Sequence, residues 1–392
     1  MPRSMRPPVR TLVLLMLLGL LAAACGGNNT SGGGGGGGGC PSGGVKVGFF
    51  GALTGDNAAL GINIRNGEQL AINQYNSSNP SCKVTLQNFD SQGDPAQAPA
   101  LATQAVGDKS LVAIVGPAFS GESKAADPIF NEAGLPIITP SATGVALSEN
   151  GWKIFHRAVG NDNSQAPVAA QFIKDQLKAS KVAVVDDKSE YGKGIADIVR
   201  KTLGSAATVS DAINVQAQDY SSTVSKVKAG NVDAIFYGGY YAEGGRLLKQ
   251  LRDAGVKATF VSDDGAKDDN LIKTAGQSAA EGAYMTCPCA PPEKVKNGTK
   301  FISDYKSAFN ADPGTYSAEG YDAANMILAA IKSGKTDRNG INDYLGSSSF
   351  EGITKNLKFD AKGEVAEKKI YVYQVKGGKI VATSFGPYTP AA

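Results

Sequence analysis

The sequence predicts an α/β fold of two doubly wound lobes with parallel sheets. Short continuous apolar runs, typical of strands covered on both faces, alternate with segments of helical periodicity. This alternation is interrupted near residue 160 and then begins again, which indicates two units of similar size in tandem. The length of chain after residue 45 also suits two domains.

The elements of the first unit alternate between strand and helix, as parallel strands joined by right-handed crossovers require. The apolar runs predict strands over residues 45–51, 83–89, 111–115 and 135–138. Helical periodicity predicts helices over residues 60–75 and 121–133, and one that ends near residue 106.

The second unit repeats this pattern, and the remaining chain completes the two lobes. Its predicted strands are 181–186, 232–237 and 259–262, and its predicted helices are 165–177, one ending near 203, 221–229 and one ending near 254. Helices over 300–310 and 319–333 and strands over 357–360, 369–375 and 379–383 follow.

Residues 1–24 predict a bacterial lipoprotein signal peptide. Three arginines precede the apolar run 11–21 and three alanines, which is the order of an export signal. The run is too short for a comfortable membrane span. Because Cys25 follows directly, the segment resembles a lipobox, although Ala22 stands where Leu is more usual. This implies an exported protein, acylated at Cys25 and anchored to the outer face of the cell membrane. The alternative is a plain signal peptide with an incidental cysteine.

Residues 25–44 predict a flexible tether. They are mostly Gly, Ser and Asn, with an uninterrupted glycine run from Gly32 to Gly39, and offer few side chains to bury.

The net charge of the chain without its signal argues against a nucleic-acid partner. The signal carries three of the 39 basic residues, so 36 remain against 36 acidic residues, and no concentrated basic face is evident.

Four cysteines remain once Cys25 is assigned to the lipid, and an exported protein favours their pairing. Cys40 and Cys82 each directly precede a strand of one parallel pair, so we predict that they form a disulfide, worth about 3–4 kcal/mol in the loop-entropy model. We also predict a strained bridge between Cys287 and Cys289. A zinc site would need more ligands than the sequence offers, so no metal is expected.

The organising stretch of the chain runs from residue 111 to residue 144. Its two strands end in turns of small and hydroxyl-bearing residues, 118–121 and 141–144. Ligands of parallel α/β sheets collect at this edge, and such turns with a helix N-terminus suit a small anion such as a carboxylate. The alternative is a pair of ordinary βα loops.

Strand ends of the second unit carry residues suited to recognition. Tyr191 and Tyr240 offer aromatic walls, and Asp264 offers a carboxylate for a cation. Each tyrosine could instead serve surface or hinge packing.

Covalent chemistry is not expected. His156, the only histidine, lies in an apolar strand-like segment, and Ser120 has no Gly-x-Ser-x-Gly motif around it. The sequence has no Walker pattern, and its first turn lacks the glycine spacing of a dinucleotide site. We therefore predict a protein that is not an enzyme and needs no cofactor.

The chain resembles the type I periplasmic binding proteins, in the branch that binds leucine, isoleucine and valine for ATP-driven (ABC) importers. Five segments that span nearly the whole body carry the similarity in order: VGFFGALTG (47–55), VGPAFSGES (115–123), ITPSAT (138–143), DKSEYGKG (187–194) and VDAIFYGGYYAEGGRLLKQLRDAG (232–255).

The resemblance implies two lobes, 45–159 plus 287–367 and 160–286 plus 368–392, joined by a three-crossover hinge. The crossovers are expected near residues 159–161, 284–289 and 366–369. A ring between Cys287 and Cys289 would then stiffen the pivot.

The resemblance also implies a site for an amino acid. Ser120 and Thr143, with backbone groups of Ser141 and Ala142, would hold the carboxylate. Asp264 would face the ammonium, and Tyr191 and Tyr240 would line the second lobe. Leu60 and Phe119 stand at side-chain-contacting positions that usually hold an aromatic and a smaller residue, which leaves the preference for branched chains open.

The implied partners are an amino acid, an ABC permease and its ATPase, with membrane contact through the lipid only and a monomeric state. Competing interpretations are a binder of amides, urea or small aromatic acids on the same fold, a ligand-sensing receptor subunit, and an exported enzyme.

Overall fold

The computed structural model describes residues 39–389, and its first sheet is wholly parallel. The apolar runs form its strands because they are covered by helices on both faces. The strands are β1 (Val45–Gly51), β2 (Val84–Asp90), β3 (Leu111–Val115), β4 (Ile137–Thr139) and β5 (Phe155–Arg157), in the order β2–β1–β3–β4–β5.

The second sheet is parallel through its centre and antiparallel at one edge. Its strands are β6 (Val182–Asp186), β7 (Ala207–Ala212), β8 (Ala234–Gly238), β9 (Thr259–Ser262), β10 (Tyr284–Cys287), β13 (Tyr371–Lys376) and β14 (Lys379–Ala382), in the order β14–β13–β10–β9–β8–β6–β7. Strands β11 (Phe350–Glu351) and β12 (Asn356–Leu357) form a separate antiparallel pair. The two sheets are therefore mostly parallel, as predicted, with one exception at the edge, where β13 runs antiparallel to β10 and to β14.

Helices flank both sheets. They are α1 (Ala58–Ser77), α2 (Ala98–Gly107), α3 (Ser120–Glu132), α4 (Asp162–Asp175), α5 (Glu190–Leu203), α6 (Ser221–Ala229), α7 (Tyr241–Asp253), α8 (Asp269–Ala275), α9 (Gln277–Ala280), α10 (Gly298–Phe309), α11 (Ser317–Lys332) and α12 (Arg338–Ser347). Single 3₁₀ turns cover Val145–Glu149, Gly204–Ala206, Asp264–Ala266 and Pro292–Lys294.

The chain passes between the two lobes three times. It leaves the first sheet after β5, and it leaves the second sheet after β10 to form α10, α11 and α12, of which α10 and α11 pack against α1 and α12 packs against α11 and β3. It then returns to the second sheet at β13. Each lobe thus combines segments that are distant in sequence.

Glycines allow α1 and α11 to pack closely in the first lobe. A Cβ atom on Gly67 would lie 2.0 Å from the carbonyl oxygen of Ser317, and one on Gly320 would lie 2.7 Å from that of Ile64. Real side chains cannot approach a backbone oxygen so closely, so this crossing requires glycine on both helices.

Several elements, including β7, α8, α9, β10, β11 and α12, were not predicted, and some predicted strands are shorter in the structure. Strand β7 has a polar sequence that is half exposed at the sheet edge, and α12 is short and begins after the capping residue Asp337. The predicted strand over 135–138 is reduced to the three residues of β4, and that over 357–360 to the two residues of β12.

The four cysteines of the described region lie in two close pairs. The sulfur atoms of Cys40 and Cys82 are at bonding distance, as are those of Cys287 and Cys289, with Cα separations of 5.3 and 5.1 Å. Cys40 and Cys82 meet because β1 and β2, which they precede, pair in parallel from Val45 and Val84 onward.

The predicted signal peptide, Cys25 and most of the predicted tether lie outside the described residues. Within residues 39–389, no helix is long and apolar enough to cross a membrane.

Candidate functional site

The turns after β3 and β4 are joined by serine hydroxyls at the carboxyl edge of the first sheet. Ser120 opens α3, and its Oγ accepts a hydrogen bond from the backbone N–H of Gly144 at 3.1 Å. Ser141 donates its hydroxyl to the carbonyl oxygen of Ala118 at 2.7 Å. Each turn therefore fixes the other, and both serines are buried.

Arg157, at the end of β5, fixes the second turn through its carbonyl groups. Its Nη1 donates to the carbonyl oxygens of Ala142 at 3.0 Å and Gly144 at 2.7 Å, and its guanidinium pairs with Glu364. The N–H of Ala142 donates to the Thr139 hydroxyl at 2.9 Å, so this amide is engaged within its own turn.

Thr143 lies beside Asp162, at the start of α4. Burial and the charge of Asp264 raise the pKa of Asp162 to about 7, and the Thr143 hydroxyl only partly offsets them. Within the described residues, neither Thr143 Oγ1 nor Asp162 Oδ1 has a hydrogen-bond partner of good geometry. This pair therefore retains unused hydrogen-bonding capacity.

Asp264 forms the acidic side of the site, directly after β9. Its Oδ1 accepts the Tyr191 hydroxyl at 2.7 Å, and its Oδ2 accepts the Tyr316 hydroxyl, also at 2.7 Å. Only 3% of the residue is exposed. Burial raises the pKa of the Asp264 carboxyl, whereas the two tyrosine hydroxyls lower it and only partly offset the burial.

Two further buried carboxyl groups surround Asp264. Burial and the charge of Asp264 raise the pKa of Asp263, and the same two causes raise the pKa of Asp162. Like charges this close disfavour ionisation, and a cation among them would favour it. The region is therefore prepared for a positively charged group.

A small pocket separates the hydroxyl turns from this acidic region. It is lined by Leu60, Ala118, Phe119, Ser120, Ser141, Tyr191, Tyr240, Asp264, Gly265 and Tyr316. Seven of the nine predicted site residues are in this set; Ala142 and Thr143 are not. The pocket is small, with a cavity volume of about 20 Å³, which is room for about one water molecule.

Phe119 and Tyr240 separate this pocket from a larger outer chamber between the lobes. Their rings meet edge to face with centroids 5.1 Å apart, and both residues also line the outer chamber of about 730 Å³. Lys124 and Glu190 form a salt bridge of 2.9 Å between α3 and α5. The pocket is thus closed towards the chamber by aromatic side chains.

Three residues of the site were missed by the sequence interpretation. Tyr316 follows the turn signal Pro313-Gly314 but no predicted strand, so nothing in the sequence placed it at the edge of a sheet. Asp162 could have been noticed as an acid opening a helix after a crossover. Glu122 is buried in α3, where its carboxylate accepts hydrogen bonds from the Phe119 N–H at 3.2 Å and from the Ser91 hydroxyl.

His156 occupies a structural position. Its Nδ1 lies 3.1 Å from the carbonyl oxygen of Ile137, and its ring packs against Phe359. Burial lowers the pKa of His156 to about 4. In residues 39–389, no three His, Cys, Asp or Glu side chains are grouped so that they could hold a metal ion.

A family model described as periplasmic binding protein matches residues 44–379. The chain is 34% identical over 337 residues to the leucine-, isoleucine-, valine-, threonine- and alanine-binding protein of Pseudomonas aeruginosa, covering 84% of this chain and 89% of that protein. It is 32% identical over 327 residues to the Leu/Ile/Val-binding protein of Escherichia coli, covering 82% and 88%.

A solved structure agrees in fold. The substrate-binding protein of a branched-chain amino acid transporter from Streptococcus pneumoniae, in complex with isoleucine, superposes with a TM-score of 0.81 at 28% identity. The match covers 87% of this chain and 100% of that one.

Proposed function

The chain belongs to the type I periplasmic binding proteins, in the branched-chain amino acid branch, and we propose that it captures an amino acid of branched-chain type between its two lobes for an ABC importer. Proteins of this family bind solutes and are not enzymes. The names of the relatives support the choice of ligand class.

One observation carries the proposal: hydroxyl groups and an acidic group line the same pocket. Ser120 and Ser141 come from the first lobe, and Asp264 comes from the second. A zwitterion has a carboxylate that needs donors and an ammonium that needs an acceptor, and its desolvation is costly unless both are matched. An amino acid has this combination of groups.

The unsatisfied atoms near the pocket support the same ligand chemistry. Asp162 Oδ1 and Thr143 Oγ1 are buried without good partners, and the charge of Asp264 repels those of Asp162 and Asp263. An α-ammonium would relieve this repulsion, and a carboxylate near Thr143 could accept its hydroxyl proton. The ligand would thus stabilise the region that it binds.

Binding requires the lobes to move. The pocket is enclosed by side chains of both lobes, so the lobes separate to admit the ligand and then close on it. The ligand favours the closed form only to the extent of its differential affinity for that form. The permease would then recognise the closed shape.

The experiment is a thermal-shift screen of the purified mature protein against amino acids, amides, urea and small aromatic acids, followed by calorimetry. A ligand that binds the folded state raises the melting temperature by mass action. We expect shifts for leucine, isoleucine or valine. A shift only with amides, urea or aromatic acids would instead assign one of the alternative ligand classes.

We also propose that Cys25 anchors the protein to the outer face of the cell membrane, next to the permease and its ATPase. The order of basic, apolar and small residues before Cys25 supports this location. Mass spectrometry of the membrane-extracted protein should find an acylated Cys25 as the first residue. Release of wild-type protein as fully as of Cys25→Ala would contradict the anchor.

The lobe boundaries proposed are 45–159 plus 287–367 and 160–286 plus 368–392, in a monomer with disulfides Cys40–Cys82 and Cys287–Cys289. The second disulfide would stiffen a hinge strand. Alkylation with and without reductant counts the free thiols, and light scattering measures the mass. If reduction of the Cys287–Cys289 pair leaves ligand affinity and closure kinetics unchanged, the hinge role is wrong.

A further inference from the structure

The walls of the outer chamber are acidic, and both lobes contribute to them. The carboxyl groups that line it belong to Asp56 and Asp94 of the first lobe and to Asp187, Glu190 and Glu243 of the second. Among the described residues, Lys188 is the one basic residue in this lining, and Glu190 is already paired with Lys124. The chamber, of about 730 Å³, lies within the range of sites for small molecules.

Two polar side chains of these walls are incompletely satisfied. The side chain of Asn57, just before α1, hydrogen-bonds to Glu243 in the first turn of α7, and so connects the lobes. Within residues 39–389, Asn57 Oδ1 and Glu243 Oε2 nevertheless have no hydrogen-bond partner. Only 3% of Glu243 is exposed. Two unpaired acceptors that line one chamber from opposite lobes call for a hydrogen-bond donor.

The buried Glu243 carboxylate has no cation in contact with it among the described residues. Burial and the charge of Asp56 raise the pKa of Glu243, and the charge of Arg246 only partly offsets them. The Nη1 of Arg246 donates instead to the Ala217 carbonyl oxygen at 2.9 Å and to the Tyr220 hydroxyl at 3.1 Å. A buried carboxylate is costly unless it is paired and hydrogen-bonded. A donor cation in the chamber would therefore stabilise the ionised carboxylate.

The rest of the lining suits an aliphatic organic cation. Phe119 and Tyr240 present aromatic rings at the inner end of the chamber, and such rings attract organic cations. Val215, which is 39% exposed, offers an apolar contact for methylene groups. In the described part of the chain, the acids are spread along the walls and are not grouped as ligands of a metal ion. A chain with two charged ends can contact more of them than a single ion can.

We infer that the outer chamber is a second binding site, which takes an aliphatic amine with two or more ammonium groups. One ammonium donates to Glu243 Oε2 and Asn57 Oδ1, and the methylene chain lies against the aromatic rings. Phe119 and Tyr240 separate this site from the amino-acid pocket, so both ligands bind at the same time. Because each site has walls from both lobes, each ligand favours the closed form and strengthens the binding of the other. The amine site itself does not depend on the proposed function.

The test titrates the purified protein with 1,4-diaminobutane in a calorimeter, with 1,4-butanediol as the uncharged control of similar length. We expect one diamine to bind per protein molecule and the diol not to bind. Glu243→Gln should weaken diamine binding about ten- to a hundredfold, the range for a hydrogen bond that involves a charged group.

Two further variants separate the chamber from general effects of a lost charge. Glu68→Gln is the matched control, because Glu68 is fully buried in α1, lies outside the chamber and has no partner for its carboxylate oxygens among the described residues. It should keep the wild-type affinity for the diamine, and a loss equal to that of Glu243→Gln would contradict the site. Asp56→Asn changes an exposed residue of the wall, so its folding is not at stake, and it should also weaken binding.

Titration in the presence of leucine distinguishes this inference from the proposed function. Protein saturated with leucine should bind the diamine at least as tightly as the free protein does. The inference is overturned if the diamine does not bind, if the diol binds equally well, if leucine displaces the diamine, or if both Glu243→Gln and Asp56→Asn keep the wild-type affinity. If the diamine binds but no amino acid does, the proposed function fails and the chamber site stands.

Discussion

Arg157 and Glu364 form a fully buried ion pair at the base of the second hydroxyl turn, although 207 residues separate them in sequence. Arg157 also donates to the carbonyl oxygens of Ala142 and Gly144, and Asn161 donates to Glu364 at 3.1 Å. The pair therefore joins the turn beside the pocket to the returning chain near the last crossover. The pair positions the backbone of this turn, but neither of its side chains lines the pocket.

Removal of one partner leaves a buried charge uncompensated. Arg157→Met should lower the free energy of unfolding by about 3–5 kcal/mol, as measured in urea. Lys249→Met is the control, because the pair of Lys249 with Asp253 is exposed and its loss should cost about 0.5 kcal/mol or less. Equal losses in the two variants would show that the Arg157 pair contributes nothing special.

Substitution by alanine should have opposite effects on stability at two helical glycines, one inside the crossing of α1 and α11 and one outside it. Gly67→Ala should destabilise the protein by about 1–3 kcal/mol, because its Cβ would overlap the Ser317 carbonyl 2.0 Å away. Gly194→Ala in α5 should stabilise it by about 0.5–1 kcal/mol, since nothing lies within 4 Å of the added atom. Thermal unfolding of both variants checks the signs, and a stable Gly67→Ala would contradict the close packing.

Glu122 predicts a pH dependence of stability. Burial raises the pKa of Glu122 from 4.5 to about 7, and its hydrogen bonds from Ser91 and Phe119 only partly offset this. The folded state therefore keeps a proton that the unfolded state has lost between about pH 4.5 and pH 7. Stability should fall in this window by about 1 kcal/mol per pH unit for this group, with further contributions from Asp162 and Asp187, whose pKa values burial also raises to about 7.

Glu122→Gln should flatten the decline between pH 5 and pH 7, because the substituted side chain does not titrate. Glu132→Gln serves as the control, since Glu132 lies on the same helix but is exposed. Urea unfolding at several pH values gives the slopes. The prediction is wrong if both variants retain the wild-type slope.

Ser120 should matter for binding more than for folding. Ser120→Ala should weaken leucine binding by roughly ten- to a hundredfold, because a hydrogen bond to a charged group is worth about 1.5–3 kcal/mol. Ser123→Ala is a suitable control, because Ser123 is also buried in α3 but lies outside the pocket and makes only a long 3.5 Å contact with Pro117. Calorimetry that finds equal affinities for the two variants would remove Ser120 from the site.

The sequence located the residues that follow strands and could not locate those that arrive by tertiary packing. Ser120, Tyr240 and Asp264 line one pocket because the strands before them end at the facing edges of the two sheets. Tyr316 reaches Asp264 from 52 residues further along, through a left-handed residue that has no local sequence signal. Strand β7 escaped prediction for a similar reason, because a half-exposed polar edge strand lacks a continuous apolar run.

Recognition of a zwitterion is the central claim, and it is tested most directly by calorimetry with leucine and with 4-methylpentanoate, which lacks only the ammonium group. A site that presents Asp264 to the ammonium should bind the deaminated acid roughly a thousandfold or more weakly, because the buried acidic group is left without its cation. Equal affinity for the two compounds would contradict the account.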